Sequence, residues 1–181
     1  YSPIVSPNGK MIAYLGFDDK REAYQNHRLY LMDCDGENKR PISQYLDASI
    51  SSIKWDADNK GIYFSFDHQG NGKIGYISLD GKVSKIADNQ GGTTLGRPYS
   101  SGMFSISQNG KIAYTYTRPE HPADIAFIDK KGENWTRLTK LNQSLFTNKK
   151  LGKVESIWYS SSVDGRKLQG WIVYPPNYDA S

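Results

Sequence analysis

The chain is poor in the residues that most often announce chemistry. It has a single cysteine, Cys34, and three widely spaced histidines, His27, His68 and His121, all in loop-like surroundings. One cysteine excludes an intramolecular disulfide, and its place at the end of an apolar run predicts a buried structural thiol. No G-x-S-x-G line is present, so no nucleophile elbow is encoded. No glycine loop is built to cradle a phosphate, and Gly91–Gly92 reads as a plain connection. Asp33, Asp35 and Glu37 alternate through a turn but lack the spacing and closing Glu of a calcium loop. No metal site and no cofactor are expected. No apolar run is long enough for a membrane helix. The 23 basic and 19 acidic residues are interspersed, giving a net charge of +4. Such a balance does not indicate a nucleic-acid binder.

What the chain has instead is turns between short β-prone runs. The stretch Trp55–Ala87 holds three of these runs, Ile62–Phe66, Ile74–Leu79 and Val83–Ala87, separated by Asp-, Asn- and Gly-containing turns. That pattern predicts a meander of antiparallel strands. It recurs upstream as Ser6–Phe17 with Arg28–Gly36, and downstream as Ser107–Tyr116 with Asp124–Gly132. Matching Asn8, Asn59 and Asn109 gives steps of 51 and 50 residues, and Gly36, Gly81 and Gly132 give 45 and 51. A four-stranded unit repeating at this period is the mark of a β-propeller blade.

The expected fold is therefore all-β, a propeller segment of three four-stranded antiparallel blades at 1–48, 49–100 and 101–139. The first blade is incomplete in its inner strand, Tyr1–Ser6. Met11–Phe17 is nearly all apolar, as a strand covered on both faces is. Lys39–Ser43, containing Pro41, suits an outer edge, and Asp88–Tyr99 reads as a connection. Residues 140–152 form a polar linker with room for one helical turn. Residues 153–181 then carry a hairpin, Val154–Ser160 and Lys167–Tyr174, joined across Ser162–Gly165. Three blades are fewer than the four to eight that close a propeller, so the chain is expected to be a segment of a larger one. It opens at Tyr1 without a Met, so its natural beginning is expected to lie upstream.

Few side chains stand out as site candidates. Arg97, His121 and Glu155 are polar residues beside apolar runs, each able to face a central cavity. Arg97 and His121 read equally as solvated loop residues, while Glu155, which opens the hairpin, could make a buried pair, since a buried carboxylate needs a partner. Trp158 and Trp171 lie on hairpin strands that can face each other across the turn.

The S-P-N-G-K (Ser6–Lys10) and D-x-D-G hairpins resemble the propeller of the prolyl-oligopeptidase-like serine peptidases, and would equally fit a TolB-type propeller. Three later stretches, Gly102–Tyr114, Pro122–Phe127 and Arg137–Asn142, resemble the last blade of the acylaminoacyl-peptidase branch. Val154–Asp179, with its S-x-D-G turn and G-W-x-x-x-P strand, resembles the opening of the α/β-hydrolase domain. The resemblance implies a serine peptidase cleaving short or N-acylated peptides, with the propeller gating access. It places the catalytic Ser, Asp and His beyond Ser181, so no catalytic residue is expected here. No Glu–Glu pair matches the one that grips the peptide amino terminus in dipeptidyl-peptidase relatives. The implied partners are short peptides and the chain's own hydrolase domain, with a homo-oligomer left open and neither nucleic acid nor membrane involved. The implied compartment is the cytoplasm, with the periplasm or secretion left open. The alternative is a TolB-like interaction propeller without enzymatic activity.

Overall fold

A computed structural model describes residues 1–92 and 102–179. The first blade pairs β1 (Ile4–Val5), β2 (Met11–Gly16), β3 (Arg28–Asp33) and β4 (Arg40–Pro41) in that order, all antiparallel. The second pairs β5 (Ile50–Trp55), β6 (Gly61–His68), β7 (Asn71–Ser78) and β8 (Val83–Gln90). The third comprises β9 (Phe104–Ile106), β10 (Lys111–Arg118), β11 (His121–Asp129) and β12 (Thr136–Arg137). The inner strand of the first blade is only two residues long. Pro41 sits on the exposed edge strand β4, where its missing N–H costs no ladder bond.

Blades two and three are not separate sheets. Strand β8 runs on to Gln90, through the start of the expected connection, and bridges to β10 at Gln90–Tyr116. The two blades thus share one hydrogen-bonded sheet. The rest of that connection and the first residue of the expected third blade, residues 93–101, lie outside the described residues.

The repeat is written in the turns. In each blade, the first turn closes when the N–H of its fourth residue meets the carbonyl of its first: Gly9 to Ser6, Asn59 to Asp56, and Gly110 to Ser107, at 2.9–3.0 Å. The donor residue is left-handed in all three, with φ of 70°, 58° and 78°. Asn59 therefore stands where the other blades have glycine, as Asn tolerates this conformation. The asparagines are not structurally equivalent, because Asn8 and Asn109 precede the left-handed residue whereas Asn59 occupies it. The third turn is one residue shorter. Inner-strand pairing still places Val5 opposite Ile12, Trp55 opposite Ile62, and Ile106 opposite Ile112.

Two apolar seams hold the blades together. In the first, Ala13, Leu15, Leu29 and Leu31 meet Ile62, Phe64, Phe66 and Ile77. In the second, Tyr63, Ile74 and Ile86 meet Ile112, Tyr114, Tyr116, Ala126 and Ile128. Side chains alternate along a strand, so β6 sends Ile62, Phe64 and Phe66 to one seam and Tyr63 to the other. Its run of six buried residues follows from that double duty. Gly75 sits opposite Phe64, and a Cβ there would lie 2.6 Å from the Phe64 ring, so a glycine leaves room for the aromatic. In contrast, β2 is covered on one face only. Ala13 and Leu15 are buried, while Ile12 and Tyr14 are half-buried.

Cys34 is exposed, contrary to the expectation of a buried thiol. The buried alternation of β3 ends at Leu31, and Cys34 lies past the strand in the turn that Asp33 and Gly36 close at 3.0 Å. Its Sγ donates to the Gly9 carbonyl at 3.0 Å.

The described residues fall into two compact units, Tyr1–Thr117 with Ala123–Thr139, and Arg118–Pro122 with Lys140–Ser181. The second contains one helical turn, α1 (Gln143–Phe146), and a hairpin of β13 (Val154–Ser160) and β14 (Lys167–Val173). No helix among the described residues is long and apolar enough to cross a membrane.

Candidate functional site: the turns around the blade axis

The first turns of all three blades converge on one cavity of about 450 Å³, lined by Pro7, Trp55, Ala57, Ile106, Ser107 and Gln108. Each blade contributes the end of its inner strand or the turn that follows. The same local chemistry builds the outer two turns. Ser6 Oγ donates to Asn8 Oδ1 at 2.8 Å and accepts from the Met11 N–H at 2.9 Å. Ser107 Oγ donates to Asn109 Oδ1 at 2.6 Å and accepts from the Lys111 N–H at 3.0 Å. Blades one and two are stapled here, since Trp55 Nε1 donates to the Ile4 carbonyl at 3.1 Å and the Asn8 N–H to Asn59 Oδ1 at 2.9 Å. With its N–H committed, Trp55 offers the cavity only apolar ring surface. Across the second seam, Lys130 reaches Asp58 at 3.3 Å. The cavity thus has apolar walls from Pro7, Trp55, Ala57 and Ile106 interleaved with the polar Ser107 and Gln108, and a hydrogen-bonded rim.

The residues singled out in the sequence do not meet there. Arg97 lies outside the described residues. His121 opens β11, with its Nδ1 2.8 Å from the Pro122 carbonyl. Glu155 makes an ion pair, but an exposed one, with Lys153 at 3.0 Å. The lysine's hydrogen bond and charge hold the Glu155 carboxyl below the usual range, and the carboxylate in turn raises Lys153. The pair is exposed because a two-stranded hairpin has no interior of its own in which to bury one. Lys153 also lies over the Tyr174 ring at 5.8 Å. Around them is a second cavity of about 470 Å³, walled by Leu151, Tyr174, Pro175, Pro176 and Tyr178.

Trp158 and Trp171 share one face of the hairpin as diagonal neighbours rather than a directly opposed pair. The register sets Ser156 against Trp171 and Trp158 against Gln169. Both rings are about half exposed.

Sequence reading missed an ion pair with a buried carboxylate, Asp124 with Arg137. The Asp124 side chain is 3% exposed and that of Arg137 26%. Thr139 Oγ1 donates to Asp124 Oδ1 at 2.8 Å and accepts from the Ile125 N–H at 2.9 Å. Arg137 Nε donates to the Thr139 carbonyl at 3.0 Å. The alternation of β11 was the available signal, because Asp124 falls on the same face as Ala126 and Ile128. Ser65 Oγ and Gln90 Nε2 are buried without a hydrogen-bond partner.

Catalytic machinery does not assemble among the described residues. Ser49 Oγ lies 3.2 Å from His27 Nδ1, but it also accepts the His27 backbone N–H at 3.0 Å, which makes it a bracket for the loop. The His27 ring is walled by Tyr1 and Phe17 at 5.1 and 5.4 Å, with no carboxylate to orient it as a base. No cluster of three potential metal ligands is found among the described residues.

An all-β, multi-bladed antiparallel architecture of this kind defines a propeller-like domain. No protein-family model matches the chain. Over 180 residues it is 25% identical to dipeptidyl-peptidase 5 of Porphyromonas gingivalis, a match covering 98% of this chain and 25% of that protein. The chain thus spans about a quarter of the length of the curated relatives it matches. Among solved structures, the acylaminoacyl peptidase of Pyrococcus horikoshii superposes with a TM-score of 0.69 at 23% identity, over 96% of this chain and 25% of that one. A putative TolB from Agrobacterium tumefaciens superposes with a TM-score of 0.57 at 19% identity, over 94% of this chain and 57% of that one. The chain is homologous to prolyl-oligopeptidase-family proteins in their propeller region, and no single member is picked out.

Proposed function

We propose that the chain is the non-catalytic propeller portion of a serine peptidase acting on short or N-acylated peptides, gating their access to an α/β-hydrolase domain. In the complete enzyme a serine supplied by that domain attacks the peptide carbonyl with a histidine as general base, and water then hydrolyses the acyl-enzyme. The propeller contributes exclusion. In this reading the mixed apolar and polar walls and the stapled turns where the three blades meet admit a narrow extended chain and turn away folded protein. The observation that carries this reading is the hairpin β13–β14. It follows the third blade, has no blade turns, and leaves Trp158, Trp171 and Val173 exposed on one face. A two-stranded hairpin is marginal alone, and an onward hydrolase sheet would cover it. Alignment with dipeptidyl-peptidase 5 along nearly the whole chain supports the same reading.

The TolB-like interaction propeller stays as the second reading, favoured by the superposition over 94% of this chain. Sequencing the locus past codon 181 separates the two. A G-x-S-x-G line with Asp and His later is expected, and a reading frame ending without one overturns the peptidase reading. The 181-residue chain itself is expected to leave acyl-alanyl and peptide chromogenic substrates intact and to take up no fluorophosphonate probe.

A further inference from the structure

The middle blade departs from the repeat at three positions, and the departures gather at one place. Counting from the paired inner strands, Asp56 stands where the other blades have Ser6 and Ser107, Gly61 where they have Met11 and Lys111, and Tyr63 where they have Ala13 and Ala113. Ser6 and Ser107 commit their hydroxyls inside their own turns. Asp56 does not. The residue is 6% exposed, yet no side-chain hydrogen bond or ion pair holds its carboxylate among the described residues. Gly61 makes room for a phenol. A Cβ there would lie 2.5 Å from the Tyr76 hydroxyl oxygen, and the Gly61 carbonyl accepts the Asp56 N–H at 2.9 Å. The Tyr76 hydroxyl is thereby brought to the turn that Asp56 opens. Tyr63, 2% exposed, pairs with Tyr76 across the strands, with ring centroids 4.9 Å apart. Strand alternation puts Asp56, Tyr63 and Tyr76 on one face, opposite Trp55 and Ile62. Neither hydroxyl has a hydrogen-bond partner among the described residues, and none of these oxygens is sealed from water.

We propose that Asp56, Tyr63 and Tyr76 form a site for a primary ammonium group on an alkyl stem, such as a lysine side chain carries. A buried carboxylate is costly without a partner, and the turn offers Asp56 none, so its partner comes from outside the turn. The surroundings select a cation. Asp58 adds a second carboxylate, only partly offset by Lys130 at 3.3 Å. Burial, then the Asp56 charge, raise the hydroxyls of Tyr63 and Tyr76, so both phenols stay protonated. A neutral phenol oxygen accepts a hydrogen bond from an N–H but is a poor ligand for a bare metal ion, and no third metal-ligating side chain joins the two carboxylates. An ammonium has three donors, which one carboxylate and two hydroxyls match in number. Its methylene stem lies along the tyrosine rings, whose faces attract a cation. This inference is independent of the peptidase reading.

Nuclear magnetic resonance of the 181-residue chain with labelled tyrosine rings tests this. The Tyr63 and Tyr76 signals, identified by Tyr63→Phe and Tyr76→Phe, are expected to shift saturably on adding butylammonium chloride, with a dissociation constant of about 1–10 mM. A lysine-centred tripeptide with both ends blocked is expected to shift the same signals. Tighter binding of the peptide assigns the ammonium to a polypeptide lysine, and tighter binding of butylammonium assigns it to a free amine. The same peptide acetylated on its lysine Nζ, and sodium chloride at equal ionic strength, are expected to leave the signals in place. Asp56→Ser restores the residue of the other two blades and is expected to weaken binding about tenfold or more. Asp164→Asn, in an exposed pair on the hairpin, is expected to leave binding unchanged. Signals that move with neither amine, that move equally in Asp56→Ser, or that move with calcium chloride rather than the amines overturn the proposal. Far-ultraviolet circular dichroism reports folding, and Asp56→Asn takes the place of Asp56→Ser if that variant does not fold.

Discussion

Arg137→Ala tests the packing logic of the third blade most directly. The guanidinium neutralises the buried Asp124 carboxylate. Without it, the carboxylate keeps the Thr139 hydroxyl at 2.8 Å but loses this guanidinium, in an apolar seam beside Ala126 and Ile128. Removing one partner of a buried pair costs about 3–5 kcal/mol. The Arg137 side chain is 26% exposed, so water can follow it into the gap, and the lower end, about 3 kcal/mol, is expected. Urea unfolding followed by circular dichroism measures the loss as a shifted midpoint at unchanged slope. Arg137→Lys keeps the charge and gives up the bond from Nε to the Thr139 carbonyl, so its loss is expected to be smaller, about 1–2 kcal/mol. The exposed pair Arg166–Asp164 is the control, and Arg166→Ala is expected to leave the midpoint unmoved. A loss below about 1 kcal/mol for Arg137→Ala, equal to that of an exposed pair, would refute the idea that this pair closes the blade.

Three further outcomes are expected. Asn59→Ala places a Cβ-bearing residue without a polar side chain at φ 58° and removes the acceptor for the Asn8 N–H, so it should cost about 1–3 kcal/mol, whereas Asn59→Gly relieves the strain and costs less; equal losses in urea unfolding would show that the inter-blade bond dominates. Burial pushes the Tyr114 hydroxyl up to about 12 and raises Tyr63 as well. A folded-state value above the unfolded one near 10 means that this stability is intact below pH 10 and is lost as pH rises from 10 towards 12; tyrosinate absorbance should show a late class titrating together with unfolding, and a single class near pH 10 would contradict it. Trp171→Ala in this chain should cost well under the roughly 3–5 kcal/mol of a packed tryptophan, because the ring is half exposed; a full-size loss would mean that the ring packs within the chain after all.

Local pattern was enough to read most of the fold. Three blades, their turns, Pro41 on an edge and the hairpin after Val154 are all legible because turn chemistry and strand alternation act over a few residues. In β6 both faces of the Ile62–Phe66 run are covered. The nearly all-apolar Met11–Phe17 run announced two covers, and the structure shows one. A strand records what its faces need, and only the assembled blades show which faces are met. The asparagine alignment misled by a residue because Asn serves in two positions of these turns, before the left-handed residue and in it, and only φ tells them apart. Cys34 missed burial by its position past the end of β3, a boundary fixed by the turn hydrogen bond rather than by hydrophobicity. The site depended still more on tertiary structure. Asp124 and Arg137 are 13 residues apart, and Pro7, Trp55 and Ile106 are about 50 residues apart at each step. Alternation in β11 marks Asp124 as inward-facing, but which residues join it, and which residues meet at the turns, is written in no short window of sequence. Both arise from the strand register and from the packing of one blade on the next, which is where separate stretches of chain become one surface.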